Sequence, residues 1–248
     1  GLKYSGSRFA GKDIELLSAA ANQTAVAIEN ARLYELERQK MIMDHDLENA
    51  REIQQSLLPE EIPNVSGLEI SGTMIPAMQI GGDYYDIIKI SDTKVFVIVG
   101  DVSGKGLAAS FYMSKLQTMV HLYCNESNTP KDVLTKINKI IYSEIEKNWF
   151  ITCTVALIDT NSKSMKICRA GHTPLVLLRK GEVSELVPAG IGVGLEHGEI
   201  FNNQLEELEL SFEPNDLFLF YSDGVTEAMN NNKQFFGSEN LNVLLKST

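Results

Sequence analysis

Ile80-Gly81-Gly82-Asp83-Tyr84-Tyr85-Asp86, followed by Val95-Phe96-Val97-Ile98-Val99-Gly100-Asp101-Val102-Ser103-Gly104-Lys105-Gly106, decides how the rest of the chain is read. The apolar run Val95 to Val99 has the composition of a buried strand. It stops at Gly100-Asp101, where Gly100, Gly104 and Gly106 allow a tight turn ahead of a helical pattern. Asp83 stands 18 residues before Asp101, and Lys89 to Lys94, with Ser91-Asp92-Thr93 inside it, reads as a hairpin connection. Two carboxylates are thereby carried to adjacent strands. They repel one another unless a cation lies between them, and hard oxygen ligands suit Mg2+ or Mn2+.

The construction recurs near the C-terminus. Leu217-Phe218-Leu219-Phe220-Tyr221-Ser222 is an apolar run that ends at Asp223-Gly224, so a third strand is expected to deliver a carboxylate into a glycine turn. An aspartate beside a glycine is most often only a turn residue, and each of the three alone carries little. Asp83, Asp101 and Asp223 together point to a dinuclear metal site.

Four blocks also carry a resemblance: Gly81-Gly82-Asp83-Tyr84-Tyr85-Asp86, Gly100 to Gly106, Ala170-Gly171-His172-Thr173-Pro174, and Tyr221-Ser222-Asp223-Gly224-Val225-Thr226-Glu227-Ala228. Their order and spacing resemble the signature of the PPM-type, stage II sporulation protein E-like serine/threonine phosphatases, the group that includes RsbU-like stress-response regulators. The likeness covers about residues 52 to 248. It implies an α-β-β-α sandwich in which Asp83, Asp101 and Asp223 ligate two Mn2+ or Mg2+ ions with the Val102 carbonyl, and Asp86 is a further candidate ligand. It also implies a phosphorylated substrate of the anti-anti-sigma STAS type. The family carries one more metal-binding aspartate in an Asp-Asp-x-Thr block, whereas Asp223 is the last aspartate before Thr248. The domain therefore reads as truncated at its C-terminus, with weak metal binding and low activity expected.

Composition narrows the alternatives. The 248 residues are 44% hydrophobic, enough to fill the core of one large domain with an appendage, and the formal net charge is −11. With no basic tract, nucleic acid is not an expected partner. No apolar run approaches the ~18 residues that span a bilayer, and no signal peptide opens the chain, so a cytoplasmic protein is expected. Cys124, Cys153 and Cys168 are odd in number and far apart, which argues for reduced, buried thiols. None precedes an arginine at the spacing of a cysteine phosphatase.

The first 32 residues form a unit of their own. Asp13 to Ala31 carries an alanine-rich apolar face without Pro or Gly, and Phe9 with Leu16 to Tyr34 resembles the terminal helix of a GAF sensor domain. Residues 33–63 read as a coiled-coil linker. Leu33, Leu36, Lys40, Met43, Leu47, Ala50, Gln54 and Leu57 step alternately by three and four, a heptad seam with Lys40 and Gln54 as polar interruptions. The same pattern fits a single amphipathic helix lying on its own domain; a parallel homodimer through the seam is the expectation.

The third unit, 64–248, reads as α+β: two mostly antiparallel sheets flanked by helices, behind a long N-terminal helix. Leu68 to Pro76 is expected to be its first strand. A helix over 107–124 follows, then one from Pro130 with Thr129 as N-cap and Asp132 in the first turn. Strands are expected over 151–159, 164–170, 175–179, 182–186, 206–212 and 216–222, with turns at Asn161-Ser162-Lys163 and Lys180-Gly181.

The chemistry this supports is hydrolysis of a phosphoserine or phosphothreonine ester in a regulatory protein, controlled through the N-terminal helix. Asp101 is the expected bridging ligand. Lys105 could meet the phosphate or be merely solvated, and His172 could donate a proton or serve only its turn. A non-catalytic partner-binding module of the same fold is the alternative. Diguanylate cyclases also use a Gly-Gly-Asp turn, but they need an acidic residue next, where this chain has Tyr84-Tyr85.

Overall fold

The computed structural model describes residues 4–6, 8–76 and 80–247; residues 1–3 and 7, part of the opening stretch, lie outside the described residues. Two compact units divide the chain, one ending at Asn49 and one beginning at Ala50. Helix α1 runs unbroken over Gly11–Ser56. In the first unit its apolar side chains Leu17, Ile28, Leu33, Leu36 and Met43 are exposed. Its Glu35–Arg38 ion pair is exposed as well, and such a pair adds little to stability. No helix of the described residues is long and apolar enough to cross a membrane.

In the second unit the elements follow in the order β1 (Tyr84–Lys89), β2 (Lys94–Val102), α2 (Leu107–Tyr123), α3 (Pro130–Glu144), β3 (Ile151–Asp159), β4 (Ser164–Ala170), β5 (Leu175–Arg179), β6 (Glu182–Leu186), α4 (Gly198–Gln204), β7 (Glu207–Ser211), β8 (Leu217–Leu219), α5 (Asp223–Thr226) and α6 (Gly237–Lys246). The β1–β2 hairpin closes because Ser91 Oγ accepts from the amides of Thr93 and Lys94. Lys163 and Lys180 adopt positive φ in the β3–β4 and β5–β6 turns. A capping box starts α3, in which Thr129 Oγ1 accepts from the Asp132 amide and the Asp132 carboxylate accepts from the Thr129 amide.

All pairings are antiparallel, in a five-stranded sheet of order β1-β2-β3-β4-β7 and a three-stranded sheet of order β6-β5-β8. Strand alternation sorts the side chains between layers. Phe96, Ile98 and Val155 face α2 and α3, where Met113, Leu116, Val133 and Ile137 complete one core. Val95, Ala156 and Ile167 point the other way, toward Leu175, Phe218 and Phe220 of the smaller sheet. The outer face of that sheet, with Val176 and Leu219, is covered by Leu241 and Leu245 of α6. The result is the expected α-β-β-α layering.

Two local expectations differ from the structure. Leu68 to Pro76 forms no strand. Leu68 and Ile70 still pack on the inter-sheet core, but two alternating apolar residues followed by Ser71-Gly72 do not sustain a ladder, and the Tyr85 ring lies over Gly72. The strand expected over 216–222 is reduced to Leu217–Leu219, because the backbone leaves the sheet to enter α5. Helices α4 and α6 carried no signal in the sequence reading. Gln54, in the last turns of α1, is 4% exposed and lies in the second unit, which begins at Ala50.

Candidate metal centre

Asp101 is the penultimate residue of β2, held by pairing with Thr152 on β3. Asp83 immediately precedes β1, on the other side of the β1–β2 hairpin, and the Val102 amide donates to the Gly82 carbonyl at 3.3 Å. Gly82 permits this approach. A Cβ there would stand 2.6 Å from the Val102 carbonyl oxygen and 3.1 Å from Asp101 Oδ1. The Gly-Gly-Asp signal thus has a steric cause: the second glycine lets two backbone segments close around the Asp101 carboxylate and the Val102 oxygen.

Asp223 arrives from the opposite sheet, as the first residue of α5 beyond β8. It therefore opens a short helical turn rather than the glycine turn that the sequence suggested. Burial, then the charges of Asp83 and Asp223, push the Asp101 carboxyl up to about 7, against a small opposing effect of the Val102 amide. Burial and the charge of Asp223 likewise raise Asp83, while the Ser222 hydroxyl works the other way. Asp83 Oδ1 is buried without a hydrogen-bond partner. A buried, unsatisfied carboxylate oxygen beside two further carboxylates is an environment that a divalent cation would relieve. The residues present fit such a group.

The cluster is open on one side, since Asp223 is exposed. Among the described residues no group of three or more His, Cys, Asp or Glu side chains stands close enough together, as arranged, to hold a metal ion. The three aspartates thus feel one another's charge without being locked together.

Asp86 is placed elsewhere. Its buried carboxylate accepts from Tyr84 Oη at 2.6 Å and from the Ile87 amide at 2.7 Å, and His121 Nε2 of α2 stands 2.7 Å away. The groups it perturbs are Tyr84 and Cys124, both raised mainly by burial. Strand alternation sets Asp86 on the face that Tyr84 presents to the helices.

His172 is 6% exposed, and burial pushes its ring down to about 4. It stays neutral near pH 7 and has no exposed edge from which to protonate a leaving group. Lys105 is exposed on the turn after Asp101. That turn is tied down by residues no motif announced. Ser103 exchanges two hydrogen bonds with Phe150, and Trp149 lies over Gly104, whose φ is +91°. Gln54 grips Gly81 from both sides, its Nε2 donating to the Gly81 carbonyl at 2.6 Å and its Oε1 accepting from the Gly81 amide at 3.1 Å. Gln54 occupied a heptad position in the sequence, and its polarity there was the only available signal.

A family model described as Stage II sporulation protein E (SpoIIE) matches residues 91–248. The chain is 26% identical over 224 residues to Protein IcfG of Synechocystis sp., a match covering 79% of this chain and 35% of that protein. It is 26% identical over 189 residues to Phosphoserine phosphatase RsbU of Bacillus subtilis, covering 75% of this chain and 55% of RsbU. The chain thus spans about a third to about half the length of these relatives. Among solved structures, the SiaA-PP2C domain of Pseudomonas aeruginosa is similar in fold, with a TM-score of 0.67 at 20% identity over 84% of this chain and 82% of that one.

Proposed function

The chain belongs to the stage II sporulation protein E family, and from that premise we propose that it is a metal-dependent phosphatase of phosphoserine or phosphothreonine in a regulatory protein. The observation that carries this reading is the close approach at Gly82, which sets the Asp83 loop, with Asp83 Oδ1 buried and unpartnered, against the Asp101 carboxylate and the Val102 oxygen, where burial and neighbouring charge raise the Asp101 carboxyl. Such a site favours either a proton or a cation.

Asp83, Asp101 and Asp223, with the Val102 carbonyl, would hold two Mn2+ or Mg2+ ions, and Asp101 is the ligand best placed to be shared. Bound there, the pair would lower the pKa of a shared water and offset the charge of the phosphoryl oxygens. Asp86 is left out because Tyr84, His121 and its own strand already occupy its oxygens. Lys105, exposed beside the cluster, is available to the substrate phosphate. His172 moves no proton, being buried and neutral.

Likeness to RsbU supports a phosphorylated anti-anti-sigma protein of the STAS type as substrate, and a cytoplasmic setting follows from that chemistry. The exposed seam of α1, with Leu33, Leu36 and Met43, would pair with a second copy as a parallel coiled coil and carry the signal of an N-terminal sensor. A non-catalytic module of the same fold is the second reading. The open arrangement of the three carboxylates favours it.

One assay separates the two. Phosphate release from a phosphoserine STAS protein is followed with and without Mn2+, beside the Asp101→Asn variant. Manganese-dependent release that the variant loses by 100-fold or more supports the enzyme; equal release by both chains refutes it.

A further inference from the structure

The two sheets contribute different parts of the carboxylate cluster. Asp101 belongs to the five-stranded sheet and Asp83 immediately precedes its strand β1, whereas Asp223 follows β8 of the smaller one. Something must fix the separation of the two groups across that seam. The segment Gly171-His172-Thr173-Pro174 crosses it, linking β4 of one sheet to β5 of the other.

His172 and Thr173 reach one side each. His172 Nδ1 is 2.9 Å from Thr152 Oγ1, and Thr152 is the register partner of Asp101, with its hydroxyl 3.4 Å from the Asp101 carbonyl. The other nitrogen, Nε2, is buried without a hydrogen-bond partner, and the link to the far side is made by the next residue, Thr173. Tyr221 stands two residues before Asp223. Its carbonyl accepts from Thr173 Oγ1, so consecutive residues of the crossing segment hold Thr152 and Tyr221.

The imidazole is itself held from behind. Arg169 Nη1 donates to the His172 carbonyl at 2.6 Å, and Arg169 Nε donates to the Pro188 carbonyl at 3.1 Å. Gly171 turns at φ +69° with the Gly192 amide only 2.9 Å from where a Cβ would be. A crossing segment fixed at its backbone, with the His172 ring on Thr152 and the Thr173 hydroxyl on the Tyr221 carbonyl, is a spacer of set length.

We propose that His172 is a positioning residue which, with Thr173, sets the distance between Asp101 and Asp223: its ring holds Thr152 while the Thr173 hydroxyl holds the Tyr221 carbonyl. The inference rests on the metal-centre reading above. It needs no change of charge on the ring, in keeping with an imidazole that burial keeps neutral.

The test measures Mn2+ affinity by titration calorimetry and by the electron paramagnetic resonance of free manganese, for the parent chain and for Asp101→Asn, His172→Ala, Thr152→Val and His172→Ala/Thr152→Val. Thermal melts and the pH profile of phosphate release accompany it. Expected are at least tenfold weaker binding in His172→Ala, a loss of several-fold or more in Thr152→Val, and a double variant no worse than His172→Ala, since both changes cut one bridge. The pH profile should fall in height and keep its shape.

Affinity equal to the parent in either single variant overturns the proposal. So does unchanged affinity with the loss of one limb of the pH profile, which would make His172 a proton carrier. Should His172→Ala fail to melt cooperatively, Thr152→Val alone decides, because it removes only a hydroxyl. Identical binding by the parent and Asp101→Asn would remove the metal centre itself. A parent that differs from Asp101→Asn but matches His172→Ala removes only the bridge.

Discussion

The Gly82 backbone lies against the Val102 carbonyl so closely that a Cβ at position 82 would stand 2.6 Å from its oxygen. Gly82→Ala must therefore push the Asp83 loop away from the end of β2, where Asp101 sits. The expected result is a loss of about 1–3 kcal/mol in stability, typical of overpacking, together with manganese binding weakened at least tenfold. Urea unfolding and calorimetric titration check it; parent-like values in both would show that the loop shifts freely.

The raised carboxyl of Asp101 ties stability to pH. Its value in the folded chain is about 7 against 3.8 for a free side chain, so folding favours the protonated form. The contribution is present below about pH 4 and is lost as pH rises through 7, by about 4 kcal/mol at the ceiling and less with screening. Metal-free protein should unfold at lower urea at pH 8 than at pH 5.5, and Asp101→Asn should flatten that difference. In the parent chain, apparent manganese affinity should climb with pH and level off above about 7, because protons compete for the same oxygen atoms. An affinity independent of pH between 5.5 and 7 would contradict the assignment.

Asp86 serves the β1–α2 junction. Asp86→Ala strands Tyr84 Oη in the core and removes the partner of His121. A loss of about 2–4 kcal/mol is expected, with manganese stoichiometry intact. Loss of one bound ion in a folded Asp86→Ala chain would restore Asp86 as a ligand.

Trp149 is the single tryptophan, and its ring lies over Gly104, next to the Ser103 that Phe150 holds. Its emission should change saturably on adding Mn2+, with a midpoint matching calorimetry, and Asp101→Asn should abolish the change. A substitution of Gly104 meets both the ring, 2.7 Å from a new Cβ, and a backbone at φ +91°. Gly104→Ala should cost about 1–3 kcal/mol and shift the emission even without metal.

Gln54 supplies both partners that Gly81 lacks in the sheet. Gln54→Leu keeps the volume but leaves the Gly81 amide and carbonyl unpaired, a loss of about 1–3 kcal/mol. Amide exchange at Gly81 should quicken by ten- to a hundredfold. Unaltered exchange would mean that the loop is held by Gly82 and Val102 alone.

Much of the architecture could be read directly from the amino acids. The strands over 151–159, 164–170, 175–179 and 182–186 coincide residue for residue with the structure, since alternation and turn residues encode both face and boundary locally. The Thr129 N-cap of α3 was likewise legible, because its partners lie within four residues. Short-range chemistry of this kind needs nothing from the rest of the chain. Leu68 to Pro76 shows the limit, as a strand also needs a neighbour to pair with.

The sequence by itself determined the layered fold and singled out Asp83, Asp101 and Asp223 by their glycine neighbours. Only the tertiary structure decided that the first two meet the third across the seam of two sheets, that Asp86 turns toward α2, and that Gln54 closes on Gly81. Those outcomes depend on groups up to 140 residues apart, and on burial that raises or lowers a charge. Local pattern records which face a side chain takes; it carries no record of what stands opposite.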